Sequence, residues 1–196
     1  MSNVSMIVVI SWTGTEERER NMNKDINLDT KKGLRKALLA VAEMLEANEI
    51  VHTNRRNGVV DVGIEPQPDQ RNFNLEVSAN SDYNCGTVAC IGGWCWLMNK
   101  EEPVTTEDGS IIYGEDSIER ADYYVHSQRG KLNELFYPPF SRYFADSEDG
   151  SEDEEFWRVL SDCYTSVTPA QAAKAIRNFL KNGDADWFSV MKDAHP

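Results

Sequence analysis

Cys85 and His126 are the residues of this chain whose types best suit nucleophilic chemistry. Cys85 stands two residues before Thr87, and Thr87 is a suitable N-cap for a helix over the uncharged residues 88–98. A cysteine just ahead of a helix has a lowered pKa, because unpaired amides and the helix dipole stabilise the thiolate. His126 would then act as the distant base of a cysteine-dependent hydrolase. Cys-Gly-Thr is not a recognised protease signature, so this pattern is the weaker of two functional hypotheses.

The spacing of the four cysteines, Cys85, Cys90, Cys95 and Cys163, bears on metal and redox chemistry. The first three are five residues apart, whereas structural zinc sites use cysteine pairs two to four residues apart. Residues five apart on one helix point about 140° away from each other, so Cys90 and Cys95 cannot share an ion or a disulfide. A redox-sensing disulfide between Cys85 and Cys90 stays open, beside the default of free buried cysteines. We therefore predict no metal site and no cofactor.

An acidic stretch over residues 145–155 is the second candidate for function. Its seven carboxylates are Asp146, Glu148, Asp149, Glu152, Asp153, Glu154 and Glu155. They lack the ligand spacing of an EF-hand. Beside them stands Trp157, which we expect to be partly exposed as an aromatic anchor. The stretch is either a solvated loop or a surface that imitates nucleic acid and binds a basic groove on a host protein.

The overall charge limits the classes of partner. The chain has 20 basic and 33 acidic residues and a net charge of -13, and residues 59–196 hold 25 of the acidic but only 11 of the basic residues. Such a field repels phosphate backbones and anionic lipid headgroups, which disfavours direct binding to nucleic acid or a membrane surface. Few cysteines and no evident cleaved signal peptide favour a reducing cytoplasm.

Hydrophobic periodicity predicts an α+β fold, mainly helical, with one or two short β-hairpins. Helices are expected over residues 30–48, 88–98, 117–128 and 132–136, from Ser151, and from Thr168 to Asn182. The last is the best specified, because Thr168 and Gln171 form a capping box, Pro169 takes the first position and Gly183 follows the end. Asp29 is the expected cap of the first helix, and Asp116 or Ser117 that of the helix over residues 117–128. Hairpins are expected around residues 57–58 and 108–109, and Phe73, Leu75 and Val77 alternate as in a half-buried strand.

We expect a single globular domain over residues 22–196, with the acidic loop at 145–155. Residues 16–21 can all be encoded by purine-rich codons directly before Met22, as a translated ribosome-binding site would be. Residues 1–21 are therefore predicted to be an artefactual or disordered extension. An edge strand over residues 4–11 followed by a polar linker is the alternative.

The adjacent glycines Gly92 and Gly93 lie inside the predicted helix over residues 88–98. Each costs roughly 1 kcal/mol relative to alanine in a helix, so another feature must require the absent side chains. We expect another backbone to approach closely there. The small face of the last helix, with Ala172, Ala173 and Ile176, is the candidate neighbour. The uncharged pattern on every side predicts a helix surrounded by protein.

The run Cys-Gly-Thr-Val-Ala-Cys-Ile-Gly-Gly-Trp over residues 85–94 resembles the signature CGTxxCIxGW of a largely uncharacterised family of bacterial and bacteriophage proteins. The resemblance continues at residues 135–138, 167–173 and 184–187 and covers roughly residues 70–190. It implies no activity. Together with the charge, it favours an acidic cytoplasmic interaction or regulatory protein over the hydrolase.

Overall fold

The structure, a computed structural model, describes residues 26–53, 71–82, 86–105, 111–140 and 162–192. Its helices and strands confirm a mainly helical α+β fold. The helices are α1 (Lys31–Glu46), α2 (Ile91–Lys100), α3 (Glu115–Ser127), α4 (Gly130–Phe136), α5 (Pro169–Asn182) and α6 (Trp187–Lys192), and residues 162–166 are also helical. The strands are β1 (Ile50–His52), β2 (Arg71–Phe73), β3 (Ala79–Asp82), β4 (Gly86–Ala89), β5 (Val104–Thr105) and β6 (Ile111–Ile112).

The larger sheet has the strand order β1-β2-β4-β3. β2 pairs in parallel with both β1 and β4, and only β3 and β4 are antiparallel. The prediction that residues 73–77 form one strand was wrong. β2 ends at Phe73 because Asn74 builds a turn: its side-chain Oδ1 accepts from Glu76 N at 2.9 Å, and its Nδ2 donates to the Thr53 carbonyl at 3.1 Å. The turn expected at residues 57–58 lies outside the described residues.

The second, two-stranded sheet confirms the other predicted hairpin. Val104 pairs with Ile112, and Thr105 with Ile111, in antiparallel register. Residues 108–109, where its turn was expected, lie outside the described ranges.

The start of α2 differs from the prediction. Residues 86–89 form strand β4, in which Thr87 is in register with Arg71 on one side and Ser81 on the other. Because strand pairing on both sides occupies the backbone up to Ala89, the helix starts later and its N-cap is Cys90, not Thr87. Its described surroundings confirm a helix enclosed by protein, since only Trp96 and Lys100 escape full burial.

The glycine pair is explained by close packing, as predicted, but the neighbour was predicted wrongly. A Cβ on Gly93 would lie 1.9 Å from the Ser78 carbonyl oxygen, so the residue before β3 presses on the helix. A Cβ on Gly92 would lie 2.7 Å from the Phe136 ring. The last helix, α5, packs against α1 instead, where Arg177 pairs with Glu46 at 2.7 Å.

The helix caps follow the sequence prediction only in part. At α5, Thr168 and Gln171 form the predicted capping box and Gly183 ends the helix with a φ of 76°. At α1 the cap is Thr30, whose hydroxyl accepts from Gly33 N at 3.1 Å, and not Asp29. At α3 the N-cap is Gly114 without a side-chain bond, since the helix begins before Asp116 and Ser117.

Residues 85–94, 135–138, 167–173 and 184–187 contribute buried side chains to one hydrophobic core. Trp94, Leu135, Phe136, Ala172 and Trp187 are all buried in it. Trp94 is fully buried, and its indole N–H donates to the Asn72 carbonyl at 2.9 Å, which ties α2 to β2. These segments therefore specify packing.

None of the helices among the described residues is both long and apolar enough to cross a membrane.

Candidate functional site

Most of the predicted site residues lie outside the described ranges. These are Cys85, the seven carboxylates Asp146, Glu148, Asp149, Glu152, Asp153, Glu154 and Glu155, and Trp157. The expected extension over residues 1–21 and the helix start at Ser151 lie outside them too. His126 is the predicted site residue whose surroundings the structure describes.

The cysteine that stands at the start of α2 is Cys90, so the argument for an activated Cys85 rested on a wrong helix start. Cys90 Sγ accepts from Gly93 N at 3.4 Å, and its thiol donates to the Ser78 carbonyl at 3.7 Å. The surrounding amides favour a thiolate, but complete burial outweighs them and raises the pKa of Cys90 to about 11. Burial also raises the pKa of Cys95. Both thiols are free and act as small core side chains.

We expect Cys90 and Cys95 to react slowly with a mild thiol reagent in the folded protein. With a pKa of about 11, Cys90 is only about one thousandth thiolate at pH 8, and neither sulfur meets solvent. Mass spectrometry of each labelled cysteine over time, native and in denaturant, measures this. Labelling of Cys90 as fast in the native state as in denaturant would contradict the buried placement. Rapid native labelling of Cys85 alone would revive the hydrolase hypothesis.

His126 belongs to a group of polar side chains beside the start of α2, here named the His126 cluster: Ser78, Asp122, His126 and Tyr137. The imidazole Nε2 lies 3.3 Å from the Ser78 hydroxyl, 3.3 Å from the Tyr137 hydroxyl and 3.3 Å from Asp122 Oδ1. The two hydroxyl groups are 2.6 Å apart. Three oxygen atoms thus surround the imidazole Nε2, and the four residues come from three separate parts of the chain.

Three parts of the chain position the four members of the cluster. Asp122 and His126 are four residues apart on α3, so their side chains emerge on one face. Ser78 immediately precedes β3 and is held where its backbone presses on Gly93. Tyr137 follows α4 directly, and its ring stacks on the imidazole with centroids 5.4 Å apart.

The four side chains of the cluster differ in burial, from the exposed His126 and Asp122 to the buried Ser78. The side chains of His126 and Asp122 are 59% and 52% exposed, Tyr137 is half-buried and Ser78 is buried. Burial raises the pKa of Tyr137 to about 12, with the nearby Cys90 adding to the shift. The phenol is therefore protonated at neutral pH, and in its 2.6 Å hydrogen bond with the Ser78 hydroxyl either group can be the donor.

The cluster is not a serine-hydrolase triad. In such a triad the serine and the carboxylate approach opposite nitrogens of the imidazole. Here Ser78 Oγ and Asp122 Oδ1 both approach Nε2. The cluster therefore lacks the relay from carboxylate through imidazole to hydroxyl that activates the serine of a triad.

Sequence reasoning singled out His126 but missed its partners. The spacing of Asp122 and His126 by four residues on an expected helix is a signal that could have paired them. Tyr137 stood out only within the run Leu-Phe-Tyr-Pro over residues 135–138, and nothing in the pattern of Ser78 places it beside a histidine 48 residues later. Among the described residues, no group of three or more His, Cys, Asp or Glu side chains could hold a metal ion.

The outward face of α3 carries four exposed carboxylates and the exposed cation Arg120. Its exposed carboxylates are Glu115, Asp116, Glu119 and Asp122. Tyr123 stands among them with 77% of its surface exposed. The opposite face is buried through Ala121, Tyr124 and Val125. The aromatic ring of Tyr123 is thus displayed to solvent within a negative surface.

Comparison with protein-family models, curated proteins and solved structures gave no match.

Proposed function

We propose that this chain is a non-enzymatic, cytoplasmic interaction or regulatory protein of bacterial or phage origin that binds a basic surface of a host protein. The observation that carries the proposal is the concentration of negative charge: residues 59–196 hold 25 acidic and 11 basic residues. A field of this sign accelerates encounter with a positively charged partner and repels nucleic acid.

The outward face of α3 supports this function among the described residues. Glu115 and Glu119 are exposed and lie one helical turn apart, and Tyr123 follows one turn later. An exposed aromatic ring bordered by carboxylates suits an arginine or lysine side chain, which can stack on the ring while it pairs with an acid. The acidic stretch at 145–155 supplies further charge, and Trp157 a second aromatic anchor.

Binding should depend on these charges more than on the fold. Affinity purification from the natural host, followed by binding measurements with each purified candidate partner, compares the wild-type chain with two variants. One carries all seven carboxylates of residues 145–155 as amides; the other carries Glu115→Gln and Glu119→Gln. We expect each to lower the association rate by about tenfold or more at low salt, and the difference to shrink as salt is added.

The matched control is Asp29→Asn with Glu43→Gln, which removes two exposed charges at α1 and should change the rate by less than about twofold. If wild type and both acidic-surface variants recover the same partners at the same rates, or recover none, electrostatic capture is wrong.

A further inference from the structure

We propose that Asp122, His126 and Tyr137 form a binding site for a divalent transition-metal ion of the zinc class. The three donors are a carboxylate oxygen, an imidazole nitrogen and a phenol oxygen, which come from one face of α3 and the residue after α4. This site is independent of the proposed function and uses none of the cysteines.

Three oxygen atoms surround a single nitrogen, His126 Nε2, in this cluster. Asp122 Oδ1, Tyr137 Oη and Ser78 Oγ each lie 3.3 Å from His126 Nε2. A carboxylate oxygen and an imidazole lone pair at this distance repel each other unless a proton or a cation lies between them. An Nε2–H donates to only one of these oxygens at a time, whereas a metal ion held between them contacts several of them at once.

The separations between the three proposed donor atoms also suit a bound zinc ion. Donor atoms bound to a tetrahedral zinc ion at about 2.0–2.2 Å lie roughly 3.3–3.5 Å from each other. The separations from His126 Nε2 to Asp122 Oδ1 and to Tyr137 Oη, both 3.3 Å, match that edge. Ser78 Oγ is only 2.6 Å from Tyr137 Oη, too close for both to bind the same ion in this geometry. Once Tyr137 binds the ion as a phenolate, Ser78 is the donor in their hydrogen bond and orients the phenolate oxygen.

The chemistry of the donors sets the class of ion. An imidazole nitrogen with a carboxylate and a phenol suits zinc, nickel or copper, whereas magnesium prefers an all-oxygen octahedron. The net charge of -13 raises the local concentration of cations. The exposure of His126 and Asp122 leaves the remaining coordination positions to water. Since the ion must displace the phenol proton to bind Tyr137, binding should release protons and tighten as the pH rises.

The test uses the full chain after dialysis against a chelator and titrates it with zinc chloride in a calorimeter at neutral pH. We expect one saturable site that His126→Gln and Asp122→Asn each weaken by about tenfold or more, and that Tyr137→Phe weakens less. Matched controls are Asp116→Asn, on the same helix, and His52→Gln, whose Nε2 lies 2.7 Å from the Thr165 carbonyl oxygen. Both controls should keep the wild-type affinity.

A second measurement works on the unaltered protein. Zinc should slow the acylation of His126 by diethylpyrocarbonate, located by mass spectrometry, while leaving the rate at His52 unchanged. The proposal is overturned if the wild type shows no saturable binding, if His126→Gln and Asp122→Asn bind as well as the controls, or if zinc leaves the rate at His126 unchanged. A proton alone then occupies the point.

Discussion

Replacing Gly93 with alanine should destabilise the protein by about 3 kcal/mol or more. Helix propensity alone predicts the opposite, a gain of roughly 1 kcal/mol, because alanine is the better helix former. The added Cβ would stand 1.9 Å from the Ser78 carbonyl oxygen and 2.9 Å from the Ala89 Cβ. Both obstacles belong to the β3–β4 region, so relief requires a backbone shift. Urea denaturation with wild type and variant measures the difference in the free energy of unfolding.

Two other glycines provide graded controls. Gly92→Ala meets side-chain atoms, Phe136 at 2.7 Å and Val125 at 2.9 Å, which can move without a shift of the backbone, so we expect a smaller loss of about 1–2 kcal/mol. Gly114→Ala meets nothing within 4 Å and should cost less than about 1 kcal/mol, through the weaker N-cap. If Gly93→Ala is as stable as Gly114→Ala, the close approach of Ser78 to α2 is wrong. The same result would weaken the placement of Ser78 in the His126 cluster.

Truncating Trp94 to alanine should cost about 3–5 kcal/mol. The side chain is fully buried, and its removal leaves a cavity between α2 and β2 that the surrounding core can fill only in part. It also leaves the Asn72 carbonyl without its 2.9 Å donor. Trp94→Phe keeps most of the packing and loses that hydrogen bond, so we expect a smaller cost of about 1–3 kcal/mol.

Tyr123→Ala is the matched control, because Tyr123 is aromatic but 77% exposed. Its unfolding free energy should stay within about 0.5 kcal/mol of wild type, while any partner binding through α3 weakens. Equal losses in Trp94→Ala and Tyr123→Ala would contradict the assignment of these two rings to the core and the surface. The comparison thus separates packing from interaction in one experiment.

The geometry around α2 links these predictions to the candidate site. The helix can lie under β3 only because Gly93 lacks a side chain, and that contact places Ser78 within 2.6 Å of Tyr137. α3 packs on α2 from another side and brings Asp122 and His126 to the same point. The small residues Gly92 and Gly93 therefore serve as a scaffold for the cluster.

Local chemistry in the sequence determined the helices and their clearest ends. The capping box of Thr168 and Gln171, the proline after Thr168 and the positive φ of Gly183 involve neighbours within a few residues, so the pattern contains all that is needed. The same holds for the apolar periodicity of α1 and for the burial of α2, whose sequence has hardly any polar face. These predictions were confirmed because the interactions are short in sequence.

Contacts between distant segments were decided only by the tertiary structure. Thr87 suits a helix cap or a strand equally well, and pairing with β2 and β3 made it a strand residue, which moved the helix start to Cys90. Because the helix starts there, the buried thiol of Cys90, and not Cys85, lies at the positive end of the helix dipole. The His126 cluster joins residues 48 and 59 positions beyond Ser78, and no periodicity encodes which chain segment will meet another. The amino-acid composition determines the negative net charge of the protein. Only tertiary packing determines that Ser78, His126 and Tyr137 contact one another.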